Sequence, residues 1–161
     1  MIRALLLACV LLLSACASQD QLPAQIPHLK FPIQVNAQRE QAGEHQQWRV
    51  EARKRDRGVR WTLTNATGEV LAVQDLTNDG WKDRAVSDAD FEARELFGAV
   101  LFAFTSEKEV RFDYPGVQLQ PHGRTIEDRW QVSYASEGVL RITLPDGLSY
   151  LISPIKGKAS H

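Results

Sequence analysis

The residues able to do chemistry are few, and their spacing suits no familiar site. Four histidines, His28, His45, His122 and His161, are scattered along the chain. A helical zinc site needs two of them at i and i+4 with a further ligand nearby, and no pair here has that spacing. They read as solvated or hydrogen-bonded side chains. Asp88 and Asp90 are close carboxylates. Ser87-Asp88-Ala89-Asp90 also reads as a helix start, where acidic groups meet the positive end of the macrodipole. That accounts for the pair without catalysis. G-x-S-x-G, the P-loop and G-x-G-x-x-G are missing from the sequence. The residues therefore point to no enzyme, no metal and no cofactor. The two cysteines are Cys9 and Cys16, so the body of the chain has no disulfide, thiolate metal site or nucleophilic thiol.

Those cysteines belong to a leader. Met1-Ile2-Arg3 carries one positive charge, an apolar run extends from Ala4 to Leu13, and small residues follow. This is the plan of a secretory signal peptide, too short for a stable membrane span. Leu13-Ser14-Ala15-Cys16 resembles the bacterial lipobox, in which the cysteine is acylated and the leader is cut just before it. A thiol with no partner in the body suits a lipid acceptor better than half of a disulfide. Each buried CH₂ of the acyl chains contributes about 0.8 kcal/mol, so several chains on one residue anchor firmly. Ala17 stands where lipoproteins kept in the inner membrane tend to have Asp, which by resemblance implies the outer membrane. Residues 1–15 are thus the signal peptide. Residues 16–32, with Pro23, Pro27 and Pro32 among Gln and Ala, read as a flexible tether.

The chain has 161 residues, enough for one domain. Its 19 Lys and Arg against 20 Asp and Glu give a net charge of −1. Nucleic-acid binding needs a basic surplus, and there is none. Apolar residues alternate with polar ones in His45–Lys54 and Val59–Thr64, with Arg55–Gly58 as the turn between them. Asn65–Gly68 and Asn78–Gly80 are further turns. Strands are expected over Glu69–Leu76 and Trp81–Val86, and over Ile33–Arg39 as a first strand. The inward face of Val70-Leu71-Ala72-Val73 stays ambiguous. An almost wholly apolar run, Leu96 to Phe104, follows the Ser87 start and predicts a helix buried on most sides. Ser106-Glu107-Lys108-Glu109 is a capping pattern for a second short helix ending near Phe112. Alternation resumes at Trp130–Tyr134, Leu140–Leu144 and Leu148–Ile152. Strands, helices, then strands make an α+β fold, an antiparallel sheet curved over a helical plug. The domain spans 33–156, with a tail at 157–161.

Two residue sets remain. Arg49, Arg53, Lys54, Arg55, Arg57 and Arg60 form a dense cationic cluster. It reads first as the solvated face and turn of a hairpin. A patch for anionic headgroups or an acidic partner is the functional alternative, with about 1 kcal/mol per cation at an anionic surface. The second set is Trp48, Trp61, Leu63, Trp130, Tyr134, Leu140, Ile142 and Tyr150, with Ile152. It is either an ordinary core packed on the Phe-rich helix or the lining of an apolar groove for acyl chains in a sheet that does not fully close.

The segment Arg60-Trp61-Thr62-Leu63-Thr64-Asn65-Ala66-Thr67-Gly68-Glu69-Val70-Leu71 resembles a strand–turn–strand unit of LolB-type outer-membrane lipoproteins. The Ser-Asp-Ala-Asp helix start, Trp-Gln-Val-Ser-Tyr from Trp130 and the final Leu-Pro-Asp-Gly hairpin fall in the same order. Over residues 45–155 the chain is similar to the short relatives grouped as domain-of-unknown-function family 3261. The resemblance implies an incomplete LolA/LolB-like barrel closed by helices, with an apolar cavity for lipid. It further implies a periplasm-facing protein held in the outer membrane through Cys16. Its ligand would be an acylated lipid or lipoprotein, received from a soluble periplasmic carrier. LolB has an exposed Leu at the turn tip that touches the membrane, and here the matching residue is Thr67. Ligand binding without full insertase activity is the expectation. The alternatives are an accessory lipoprotein with a filled core and, third, a hydrolase of lipid or envelope polymer.

Overall fold

The computed structural model describes residues 23–85 and 90–155. The leader, Cys16 and the Ser87–Ala89 part of the helix start lie outside the described residues. Ten strands form one antiparallel sheet: β1 (Ile33–Gln41), β2 (Glu44–Arg55), β3 (Gly58–Asn65), β4 (Val70–Thr77), β5 (Gly80–Ala85), β6 (Gln118–Gln120), β7 (Gly123–Ile126), β8 (Trp130–Tyr134), β9 (Leu140–Thr143) and β10 (Ser149–Pro154). Two helices, α1 (Asp90–Phe104) and α2 (Glu107–Asp113), connect β5 to β6.

The order across the sheet is β5-β4-β3-β2-β1-β10-β9-β8-β7-β6. Each half is a run of sequential hairpins, and the seam is β1 on β10, with Ala37 opposite Ile152. The sheet is open at β5 and β6, and the helical segment carries the chain from one edge to the other. α1 contacts side chains from both halves, so the sheet curves around it. This bears out the α+β curved sheet.

Period-2 patterning explains most strands. In β3, Val59, Trp61 and Leu63 are buried while Arg60, Thr62 and Thr64 are half-buried on the other face. The ambiguous face of β4 resolves with Ala72, Gln74 and Leu76 inward and Val70 exposed, a bulge at Leu63/Thr64 having shifted the register. Gly58 is required by closeness: a Cβ there would lie 2.1 Å from the Leu76 carbonyl oxygen.

Two elements differ from expectation. No strand was expected in Gln118–Ile126, yet β6 and β7 form a hairpin there. The inward residues of β7 are Arg124, 7% exposed, and Ile126, so with an arginine in one of only two inward places the stretch shows no apolar alternation. The segment from 23 to 32, read as flexible tether, is laid against the domain. The Ala24 N–H donates to the Asp113 carbonyl at 2.9 Å, the His28 N–H donates to Glu109 Oε1, Pro27 is buried, and Ile26, Leu29 and Phe31 pack on the core. These apolar residues among the prolines give the segment something to bury, which a Gln- and Ala-rich tether would lack.

Candidate functional site: the helix held in the sheet

α1 buries Ala93, Leu96, Phe97, Ala99, Val100, Leu101, Phe102 and Ala103. A helix apolar on so many sides must be surrounded. On the β3–β5 flank, Phe97 meets Trp61 at a centroid distance of 5.6 Å and Trp81 at 6.4 Å, and the two tryptophans are 6.1 Å apart. On the β7–β9 flank, Phe102 lies 5.6 Å from Trp130 and 4.9 Å from Tyr114. Gly98 brings the helix close to Trp130: a Cβ at this position would be 3.0 Å from the indole ring.

Polar contacts hold both ends of α1. Glu92 takes the Tyr150 hydroxyl at 2.7 Å and the Arg39 guanidinium. Glu95 accepts from Trp130 Nε1 at 3.1 Å and Arg129 Nη2 at 3.0 Å, and Arg129 stacks 4.2 Å from the Trp130 ring. At the C-terminal end, Arg124 Nη1 donates to the carbonyls of Phe102 at 3.0 Å and Thr105 at 2.7 Å, between the rings of Phe102 and Tyr134. The Tyr134 hydroxyl donates to the Ala103 carbonyl at 2.6 Å. The last carbonyls of a helix have no intrahelical partner, and these donors satisfy them. Burial pushes the phenols of Tyr114, Tyr134 and Tyr150 upward, so they stay neutral, and those of Tyr134 and Tyr150 donate.

Six of the candidate cavity residues, Trp61, Leu63, Trp130, Leu140, Ile142 and Tyr150, are buried in the core that α1 completes. Trp48 is half-buried, 6.1 Å from Tyr150 and under the Arg39 guanidinium. Tyr134 and Leu140 also line a cleft of about 340 Å³ with Ala103, Phe104 and Arg124. A second, apolar cleft of about 520 Å³ lies between Leu29, Pro32, Ile33, Val35, Phe104 and Pro154. Thr67 is exposed at the tip of the Asn65–Gly68 turn, its N–H and hydroxyl both bonded to Asn65 Oδ1.

Sequence reasoning missed Arg124, Glu92 and Glu95. The two glutamates carry a weak signal, three residues apart at the start of an apolar helix. Arg124 carries none, because its role depends on where β7 lies against α1. Among the described residues, no group of three His, Cys, Asp or Glu side chains could hold a metal ion. No described helix is long and apolar enough to cross a membrane. Neither the models of known protein families nor the curated proteins give a match to the chain.

Proposed function

We propose that the chain is a lipoprotein of the outer membrane, anchored through acylated Cys16 and facing the periplasm. In this reading its LolB-like half-barrel binds or relays an acylated ligand delivered by a soluble carrier. The observation that carries the reading is the open ten-stranded sheet curved around one helix whose Leu96–Phe104 run is apolar throughout. α1 lies where an acyl chain would lie, and the ligand enters as α1 moves outward. Thr67 offers little apolar area at the turn tip, where Leu would contribute about 2 kcal/mol on entering a bilayer. Insertase activity is therefore not part of the proposal.

The decisive experiment is titration of the protein with a lipopeptide, followed by tryptophan emission. Saturable binding is expected, with Trp61→Ala weakening it more than Arg57→Ala. Absence of saturation at micromolar protein overturns ligand binding. The anchor is tested separately: Cys16→Ser should no longer fractionate with the outer membrane after a salt wash.

One observation favours a second reading, an accessory lipoprotein with a filled core. Trp61, Trp130 and Tyr150 are each less than 2% exposed beneath α1. A dry titration would leave this reading standing.

A further inference from the structure

The turn Arg55–Gly58 and the turn from Thr77 to Gly80 lie at one end of the sheet, because Val59 pairs with Leu76. β1 begins at the same end, with Ile33 opposite Ala52. The chain preceding β1 reaches it here: Ile26, Leu29 and Phe31 share a cleft of about 850 Å³ with Lys54, Arg57 and Lys82. The clefts at this end carry six cations, Lys54, Arg55, Arg57, Arg60, Lys82 and Arg84, against the carboxylates of Asp56, Asp75 and Asp79. Asp75 takes both Arg60 and Arg84. Lys54, Arg55 and Arg57 are exposed and have no ion-pair partner among the described residues. The other end of β3 is different. There the Asn65 side chain satisfies Thr67 and Glu69 within the turn, and Arg49 is the one cation lining the adjoining cleft.

We propose that this basic end faces the membrane, with Lys54, Arg55 and Arg57 on the phosphates of anionic lipids. The orientation rests on the Cys16 anchor proposed above. Cys16 and Pro23 are seven positions apart, and a fully extended chain over that many steps spans about 25 Å. The anchored lipid therefore keeps residue 23 within that distance of the bilayer, and the cleft of Ile26 to Phe31 follows directly. Cations held at an anionic surface bind additively and are screened by salt. Because lipid supplies the affinity, the cations need supply only direction.

Two measurements test this. The first uses the non-acylated chain from Ala17 and needs no anchor. It is sedimented with phosphatidylcholine vesicles containing about one-third phosphatidylglycerol. Replacing Lys54, Arg55 and Arg57 together by Gln should lower binding by tenfold or more, from about fivefold per cation. High salt should do the same, and Arg49→Gln at the other end should leave binding nearly unchanged. Equal binding of native and triple variant overturns the proposal. The second measurement uses the acylated protein in the same vesicles, with an impermeant maleimide. Asp56→Cys should react more slowly in vesicles than in detergent, while Thr67→Cys should not. Equal rates at Asp56→Cys overturn the orientation. If the chain carries no acyl group, the anchor reading falls while the sedimentation result still decides the headgroup contact.

Discussion

The two flanks of the sheet each place a tryptophan against α1, and they hold it differently. Around Trp61 the contact is ring on ring, with Trp81 and Phe97, and the buried Trp61 Nε1 has no hydrogen-bond partner among the described residues. Around Trp130 the rings of Phe102 and Tyr114 are joined by Glu95, Arg129, Arg124 and Tyr134, all bonded to the helix or to one another. Apolar contact is non-directional and tolerates sliding, whereas hydrogen bonds to particular atoms fix a position. The β7–β9 flank thus does most to set where α1 sits, while the β3–β5 flank holds it by ring contacts and by one ion pair between half-exposed side chains, Arg94 with Asp83 at 2.6 Å.

Removing the most demanding donor should break this contrast. Arg124→Met leaves the Phe102 and Thr105 carbonyls buried without a donor, at about 1–3 kcal/mol for each. We expect a loss of about 3 kcal/mol in denaturant unfolding. A loss below about 1 kcal/mol would mean that β7 does not position α1.

Matched Trp→Phe changes sharpen the comparison. Trp130→Phe loses volume beside Gly98 and removes the donor to Glu95, for about 2 kcal/mol. Trp61→Phe loses similar volume but also an unsatisfied buried N–H, so the cost should be about 1 kcal/mol or less. Equal costs would show that both flanks are held alike.

The smallest effects are electrostatic, and they have opposite signs on the first flank and at the end of α2. On the first, hydrogen bonds from Arg60, with Arg84 adding to them, hold Asp75 below the usual carboxylate range. Its stabilisation is present above that range and is lost as pH falls through the lowered value. Asp75→Asn should cost about 1 kcal/mol at neutral pH and flatten the acid limb of the stability profile. At the end of α2, burial pushes Asp113 up, and the neighbouring Glu109 adds to it. A raised carboxyl favours the fold below the usual range and loses that contribution as pH rises through its folded value. Asp113→Asn should therefore raise neutral-pH stability slightly. Thermal melts across pH 3–8 separate the two.

How much of this was legible in the sequence follows from what each residue faces. β2, β3, β8, β9 and β10 show apolar residues at period 2 because one face packs on α1. α1 itself stands out because nearly every side of it is covered. β7 is invisible because one of its two inward residues is an arginine whose partners are backbone carbonyls 19 and 22 residues away. The docking of residues 24–31 is hidden by Pro and Gln, which suit a linker equally well. The alternation marks Trp61 and Trp130 as inward residues, and both are buried, but nothing in their spacing distinguishes an apolar partner helix from an apolar ligand.

The seam between β1 and β10 governs the order in which the fold can be made. Gln38 lies opposite Leu151, so this ladder waits until almost the whole chain exists, while every other pair of neighbouring strands is a local hairpin. Closing such a long loop slows folding more than it weakens the product. A chain that emerges amino end first would assemble β1 through β5 as one meander and β6 through β10 as another. Until the last strand arrives, β1 presents an unpaired edge. Its outward run of Gln34, Asn36, Gln38 and Glu40 is polar, which is the composition that discourages a waiting edge from pairing with the wrong neighbour.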